Sequence, residues 1–141
     1  MGEITFFSEG IRFGLSNEEA IRRWILSVLE IEDSAAGEIN YIFCHDDYLL
    51  DLNKEYLGHD AYTDIVTFDL GEDESITGDI FISIDRVKEN AEELGVPFEN
   101  ELQRVVVHGI LHLLGYGDKT EAQKKKMRAK EDECLNLLEN K

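Results

Sequence analysis

Two histidines four residues apart, His108 and His112, are followed by Gly115 and Asp118. On a helix, side chains at i and i+4 lie on one face, one turn apart. Both imidazoles can therefore reach a single metal ion. Gly115 can end the helix in a left-handed turn that few other residues tolerate, and that reversal brings Asp118 back toward the histidine pair. Two imidazoles and one carboxylate suit zinc, which in catalytic sites takes three protein ligands and keeps a fourth position for water. Zinc lowers the pKa of that water and polarises a phosphate oxygen. The spacing predicts one divalent ion per chain, zinc, held by His108, His112 and Asp118.

The layout H-x-x-x-H-x-x-G-x-x-D is similar to the ligand pattern of the metzincin helix, with aspartate in the place of the third histidine. A zinc protease carries glutamate directly after the first histidine, as general base. Here that position is Gly109, which can move no proton. The ligands point to a metal site, and the missing glutamate argues against proteolysis. Proton transfer then falls to the zinc-bound water, to the substrate, or to a residue such as Asp64 or His59.

Residues 108–116, His-Gly-Ile-Leu-His-Leu-Leu-Gly-Tyr, resemble the signature of the YbeY family, metal-dependent endoribonucleases that act in ribosomal RNA maturation. The resemblance covers most of the chain from about Leu52 onward. Leu52-Asn53-Lys54-Glu55-Tyr56, then Asp60, then Thr63 to Phe68, resemble the family segment L-N-x-x-Y-R-x-K-D-x-x-T-D-V-L-S-F. Gly78-Asp79-Ile80 resembles its G-D-I strand, and Met127 and Glu131 resemble the pattern of its terminal helix. The resemblance implies a single-strand endoribonuclease in the cytoplasm, with ribosomal RNA or a ribosomal particle as partner.

The chain departs from that pattern in two places. The family motif continues with Asp-His, the histidine being the third ligand, whereas this chain has Gly117-Asp118. The family arginine after the tyrosine falls at Leu57, which cannot clamp phosphate, and the lysine two further on is His59. His59 is a substrate contact, an additional ligand or an exposed loop residue. Asn53, Thr63 and Asp64 either line a pocket opposite the metal or serve turns and helix caps.

Composition sets the outer limits. A chain of 141 residues, 43% hydrophobic, is long enough for one cored domain over 1–141 and too apolar to be disordered. No apolar run reaches the length of a membrane span, and Met-Gly-Glu-Ile-Thr-Phe-Phe is not a signal peptide. Cys44 and Cys134 form no C-x-x-C pair and read as two free, buried thiols of a cytosolic protein. The net charge of −17 repels RNA over most of the surface. The basic residues Lys119, Lys124, Lys125, Lys126 and Arg128 follow the ligands and are the expected RNA face. The same charge supports an alternative, an assembly or binding factor with a structural zinc that docks on basic ribosomal proteins.

The elements needed to hold the ligands follow from periodicity. Strands are expected at 4–7, 38–44, 64–70 and 79–84, the last two as a hairpin. Helices are expected from 17 to 30, capped by Ser16, from Asp46, as its cap, to about 56, and from 85 to 94. A further helix at 98–114 is apolar nearly all round, and a last one is opened by a Thr120/Gln123 capping box. This is an α+β fold, a small mixed sheet of about four strands with helices around a central buried metal-bearing helix.

Overall fold

A computed structural model describes residues 2–58, 63–71 and 75–139. In chain order the elements are β1 (Glu3–Ser8), α1 (Glu18–Ile31), β2 (Ala35–Cys44), α2 (Asp46–Leu57), β3 (Ile65–Asp69), β4 (Ser75–Ser83), α3 (Ile84–Leu94), α4 (Phe98–Leu113) and α5 (Glu121–Glu139). The four strands form one sheet in the order β1-β2-β4-β3. β2 pairs in parallel with β1 and β4, and β3 pairs antiparallel with β4. This is the mixed α+β sheet that the sequence predicts.

Alternation explains which way β2 faces. Ile39, Tyr41 and Phe43 are buried in the main core with Ile80 and Ile82 of β4. Trp24, Ile25, Val28 and Leu29 of α1 join that core, as do Leu102, Val106, Ile110 and Leu111 of α4. Helix α4 packs against β3, β4, α3 and α5 together, which makes it the central helix. Two buried polar groups are paired inside this core, as burial requires. Trp24 Nε1 donates to the Cys134 carbonyl at 2.7 Å, and Tyr41 Oη donates to the Val106 carbonyl at 2.8 Å.

Local chemistry differs from the expectation at three points. Strand β2 begins at Ala35, with an irregularity in its pairing to β4 between Ala36 and Ile39; Ala36 and Gly37 carry no strand preference of their own. Ser16 does not cap α1. Asn17 holds the cap position at φ 58°, a left-handed conformation that asparagine tolerates. Asp46 is the first residue of α2 rather than its cap. Its carboxylate instead accepts from Ser83 Oγ at 2.8 Å and Arg86 Nη2 at 2.9 Å, joining α2 to α3. The Thr120/Gln123 capping box is present, with reciprocal bonds of 3.1 and 3.2 Å.

Gly109 sets how closely α4 approaches the sheet. A Cβ there would sit 2.9 Å from Ile80 Cγ2 and 3.1 Å from Ile65 Cδ1. Both neighbours are β-branched, so they have little rotamer freedom to yield. Gly109→Ala gains up to about 1 kcal/mol of helix propensity but overpacks at about 1–3 kcal/mol. A net loss of about 0–2 kcal/mol in urea unfolding is expected. Gly109→Glu places a carboxylate between two buried isoleucines and should not fold.

Candidate metal centre

Helix α4 delivers both histidines, and its C-terminus delivers the aspartate. Gly115 adopts φ 105°, its N–H donating to the His112 carbonyl and that of Tyr116 to the Leu111 carbonyl, both at 3.0 Å. This closes the helix and reverses the chain. His108 Nε2 and His112 Nε2 are each 3.4 Å from Asp118 Oδ2. One donor atom from each of the three residues lies within 4.8 Å of the others. The two imidazoles and the carboxylate therefore converge on a point that one divalent ion can fill.

The reversed segment is tied down from outside. Tyr116 Oη donates to Glu32 Oε1 at 2.6 Å, and Lys130 Nζ donates to Glu32 Oε2 at 3.0 Å. The Tyr116 bond, followed by Lys130, holds the Glu32 carboxyl below its ordinary range against the opposing effect of partial burial. Tyr116 thus anchors the loop that carries Asp118 to the end of α1.

Glu131 of α5 is buried, 5% exposed, and sits behind the histidines. Its Oε2 is 2.7 Å from His108 Nδ1, and its Oε1 accepts from Arg104 Nη1 at 2.9 Å. A carboxylate on Nδ1 fixes the ring and leaves Nε2 to a metal. Burial alone would push the His108 pKa down. The Glu131 bond, with the charges of Glu131, Asp118 and Asp64, outweighs it and raises the pKa above 6.5.

A cavity of about 590 Å³ opens over these groups. The segment from Thr63 to Thr67 forms one wall, and α4 forms another with Glu101, Arg104, Val105, His108 and His112. Asp64 lines it, its carboxyl pKa raised chiefly by burial, with the His108 charge acting in the opposite sense. Glu101 lines it too, 7% exposed, its pKa raised first by burial and then by the Asp64 charge. Of the basic residues expected to form an RNA face, Lys119 and Arg128 line the cavity. Lys126 lies over the Tyr116 ring, and Lys124 faces Glu121 at 3.9 Å.

Asn53 is buried on α2 and is not among the described residues lining the cavity, whereas Thr63 and Asp64 are. His59 and Asp60 lie outside the described residues, as does the side chain of Leu57. Cys44 and Cys134 are buried and unpaired, their thiol pKa values pushed up to about 12 and about 11, chiefly by burial. They are poor thiolate ligands or nucleophiles. Sequence reasoning missed Glu101 and Arg104 and noted Glu131 only as a family-like position. The first two had a readable signal, since residues 101, 104, 108 and 112 share one face of α4.

A central helix carrying two imidazoles, a carboxylate at its reversed end and a buried carboxylate behind them define the class of metallohydrolase-like α+β domains. The family model for Endoribonuclease YbeY matches residues 8–139. The chain is 50% identical over 132 residues to an Endoribonuclease YbeY of Flavobacterium psychrophilum, covering 94% of each chain. It is 44% identical over 139 residues to one of Porphyromonas gingivalis, covering 99% of this chain and 92% of that one. The solution structure of TM1509 from Thermotoga maritima matches with a TM-score of 0.65 at 28% identity, over 98% of this chain and 93% of that one. The chain belongs to the YbeY endoribonuclease family.

Protons and metal compete for the same imidazole nitrogens. With the His108 pKa above 6.5, divalent-metal affinity should already fall between pH 8 and 6.5 and continue falling toward 5. In the metal-free protein the sign is opposite. Protonated His108 stabilises the fold fully below 6.5, and that contribution is lost as pH rises through the raised value. Glu131→Gln should lower zinc affinity by about 10–100-fold and weaken this pH dependence of apo stability. Competition titrations with a zinc chelator from pH 5 to 8 measure the first effect, and an affinity independent of pH would exclude imidazole ligation.

Proposed function

We propose that residues 1–141 act as one hydrolase domain, a zinc-dependent endoribonuclease that cuts single-stranded RNA in ribosomal RNA maturation. The observation that carries this reading is the convergence of His108, His112 and Asp118 inside a cavity that also holds Asp64, Lys119 and Arg128, in a chain of this family. The donor set fits zinc: two Nε2 atoms and one carboxylate oxygen converge, with Glu131 on the far nitrogen of His108. Bound there, zinc supplies Lewis-acid polarisation of a phosphate oxygen and an acidified water.

The protein's own groups do the rest. Asp64, half-buried in the cavity wall with His108, has its carboxyl pKa raised chiefly by burial, and is the group we assign to take and release the proton. Arg104, Lys119 and Arg128 offset the carboxylates of Asp64, Glu101, Asp118 and Glu131 around the cavity, so with a divalent ion held there a phosphate would meet less repulsion than over the rest of a chain whose net charge is −17. Leu57 in place of the family arginine gives that role to other cations. No described helix is long and apolar enough to cross a membrane, and the unpaired thiols suit a reducing compartment. The thiols support the cytoplasmic location expected from the sequence.

A second reading, a ribosome-associated assembly factor with a structural zinc, draws on the acidic surface, which suits basic ribosomal proteins. Structural zinc sites are closed by four protein ligands, whereas catalytic ones keep a position open. Among the described residues three donors converge, and Asp118 is 37% exposed. That openness favours the catalytic reading.

Asp64→Asn should leave zinc stoichiometry at one per chain and reduce cleavage of single-stranded ribosomal RNA by about 10²–10⁴-fold. Asp118→Ala should lose both zinc and cleavage, as should treatment of the native chain with a chelator. Elemental analysis and a gel assay read these outcomes. If Asp118→Ala binds zinc and cuts like the native chain, Asp118 is a turn residue and His59 becomes the next candidate for the third ligand.

A further inference from the structure

A second cavity, of about 270 Å³, adjoins the first and shares Glu101, Arg104 and Arg128 with it. Its remaining walls are Leu94 at the end of α3, Val96 in the connector, Asn100 and Gln103 of α4, and Leu135 of α5. Leu94 is 55% and Val96 38% exposed, so apolar surface stands uncovered beside two amide side chains. The two shared arginines differ in state. Arg104 is held by Glu131 and Asp132 at 2.9 Å each, which fixes its guanidinium and balances its charge. Arg128 is exposed, with no hydrogen bond or ion pair to it among the described residues. Glu101 lies on the same divide, where the charges of Arg104 and Arg128 act on its carboxyl.

Each feature answers a different part of a nucleotide. An aliphatic wall and a fixed guanidinium accept the face of a flat ring. Asn100 and Gln103 each offer a donor and an acceptor, which suits the hydrogen-bonding edge of a base. An unpaired guanidinium on the divide between the cavities suits a phosphate linking groups on either side. The volume lies just under the usual lower limit of about 300 Å³ for ligand cavities, which fits one base. A peptide without acidic groups would use the apolar wall but leave the unpaired guanidinium without an anion.

We propose that the second cavity is a nucleobase subsite. It takes the base of a nucleotide next to the one at the metal centre, with Arg128 on the intervening phosphate, Leu94, Val96 and Leu135 against the ring, and Asn100 and Gln103 at its edge. This inference rests on the reading of the first cavity as an RNA-cutting centre. It adds a position at which the strand is gripped, and through the amides a position at which base identity is sensed.

The test uses the zinc-loaded full chain and 2′-O-methyl pentaribonucleotides, each carrying a single abasic position, with cleavage of the unmodified strand followed in parallel. Loss of the base at one position should weaken binding about tenfold. In Leu94→Ser/Val96→Ser, at two exposed sites whose loss leaves the core intact, that penalty should shrink to less than twofold. Arg128→Ala should weaken all strands alike and reduce the slope of log affinity against log salt by about one. A binding profile with no position-specific penalty, or a penalty unchanged in the serine variant, overturns the subsite. Should the penalty behave as expected while the chain fails to cut, the subsite stands and the catalytic reading falls. Should the chain cut with no penalty anywhere, the catalytic reading stands and the subsite falls.

Discussion

Helix α4 lies on the sheet at a separation that only glycine permits at position 109, against Ile80 and Ile65. This contact fixes which side of the helix meets the strands. Once Gly109 faces the sheet, residues 101, 104, 108 and 112 are turned into the cavity between the β3 wall and α5. The same geometry explains the missing protease glutamate. A side chain at 109 would point into packed isoleucines and away from any substrate, so the position serves packing and the proton must be handled from another element. Asp64 lines the strand side of the cavity and is the residue we propose for that task.

The centre is completed by parts distant in sequence. Glu131 joins α5 to His108 and Arg104, and Glu32 joins the end of α1 to Tyr116 and Lys130. These contacts differ in energetic weight. Glu131 is 7% exposed at its side chain and is shared by two cationic or potentially cationic groups, so removing any one partner strands charge in a buried place. The Arg22 pairs with Glu18 and Glu19 are largely in water and contribute little. Asp64 and Glu101 carry a cost in the metal-free protein, since burial raises both pKa values. Their ionised forms cost stability as pH rises, which is the usual exchange of stability for a working site.

Much of the centre was legible because its information is local. Four-residue spacing, a glycine and a carboxylate three residues later encode a helix face and a reversal without reference to the rest of the chain. The all-round apolar pattern of 98–114 likewise announced a central helix. Other features depend on tertiary contacts. Asp46 is a good cap by type, yet Ser83 and Arg86 claim its carboxylate from another element. Ser16 is also a good cap by type, yet Asn17 takes the position in a left-handed turn. Glu131 lies 23 residues beyond His108, and no periodicity links them. The division of the basic run, with Arg128 toward the cavity and Lys126 over Tyr116, depends on how α5 is rotated against α4.

We propose that two imidazoles and one carboxylate bind the metal, with Asp118 in place of a third histidine. X-ray absorption at the zinc edge of the loaded native chain reads this shell directly. Two imidazole scattering patterns at about 2.0–2.1 Å, a carboxylate oxygen at about 2.0–2.2 Å and no sulfur are expected. Asp118→Ala, taken through the same loading, should retain no zinc-edge signal. A three-imidazole shell, or a sulfur shell at about 2.3 Å, would contradict this ligand set and move the third ligand to another histidine or to a cysteine.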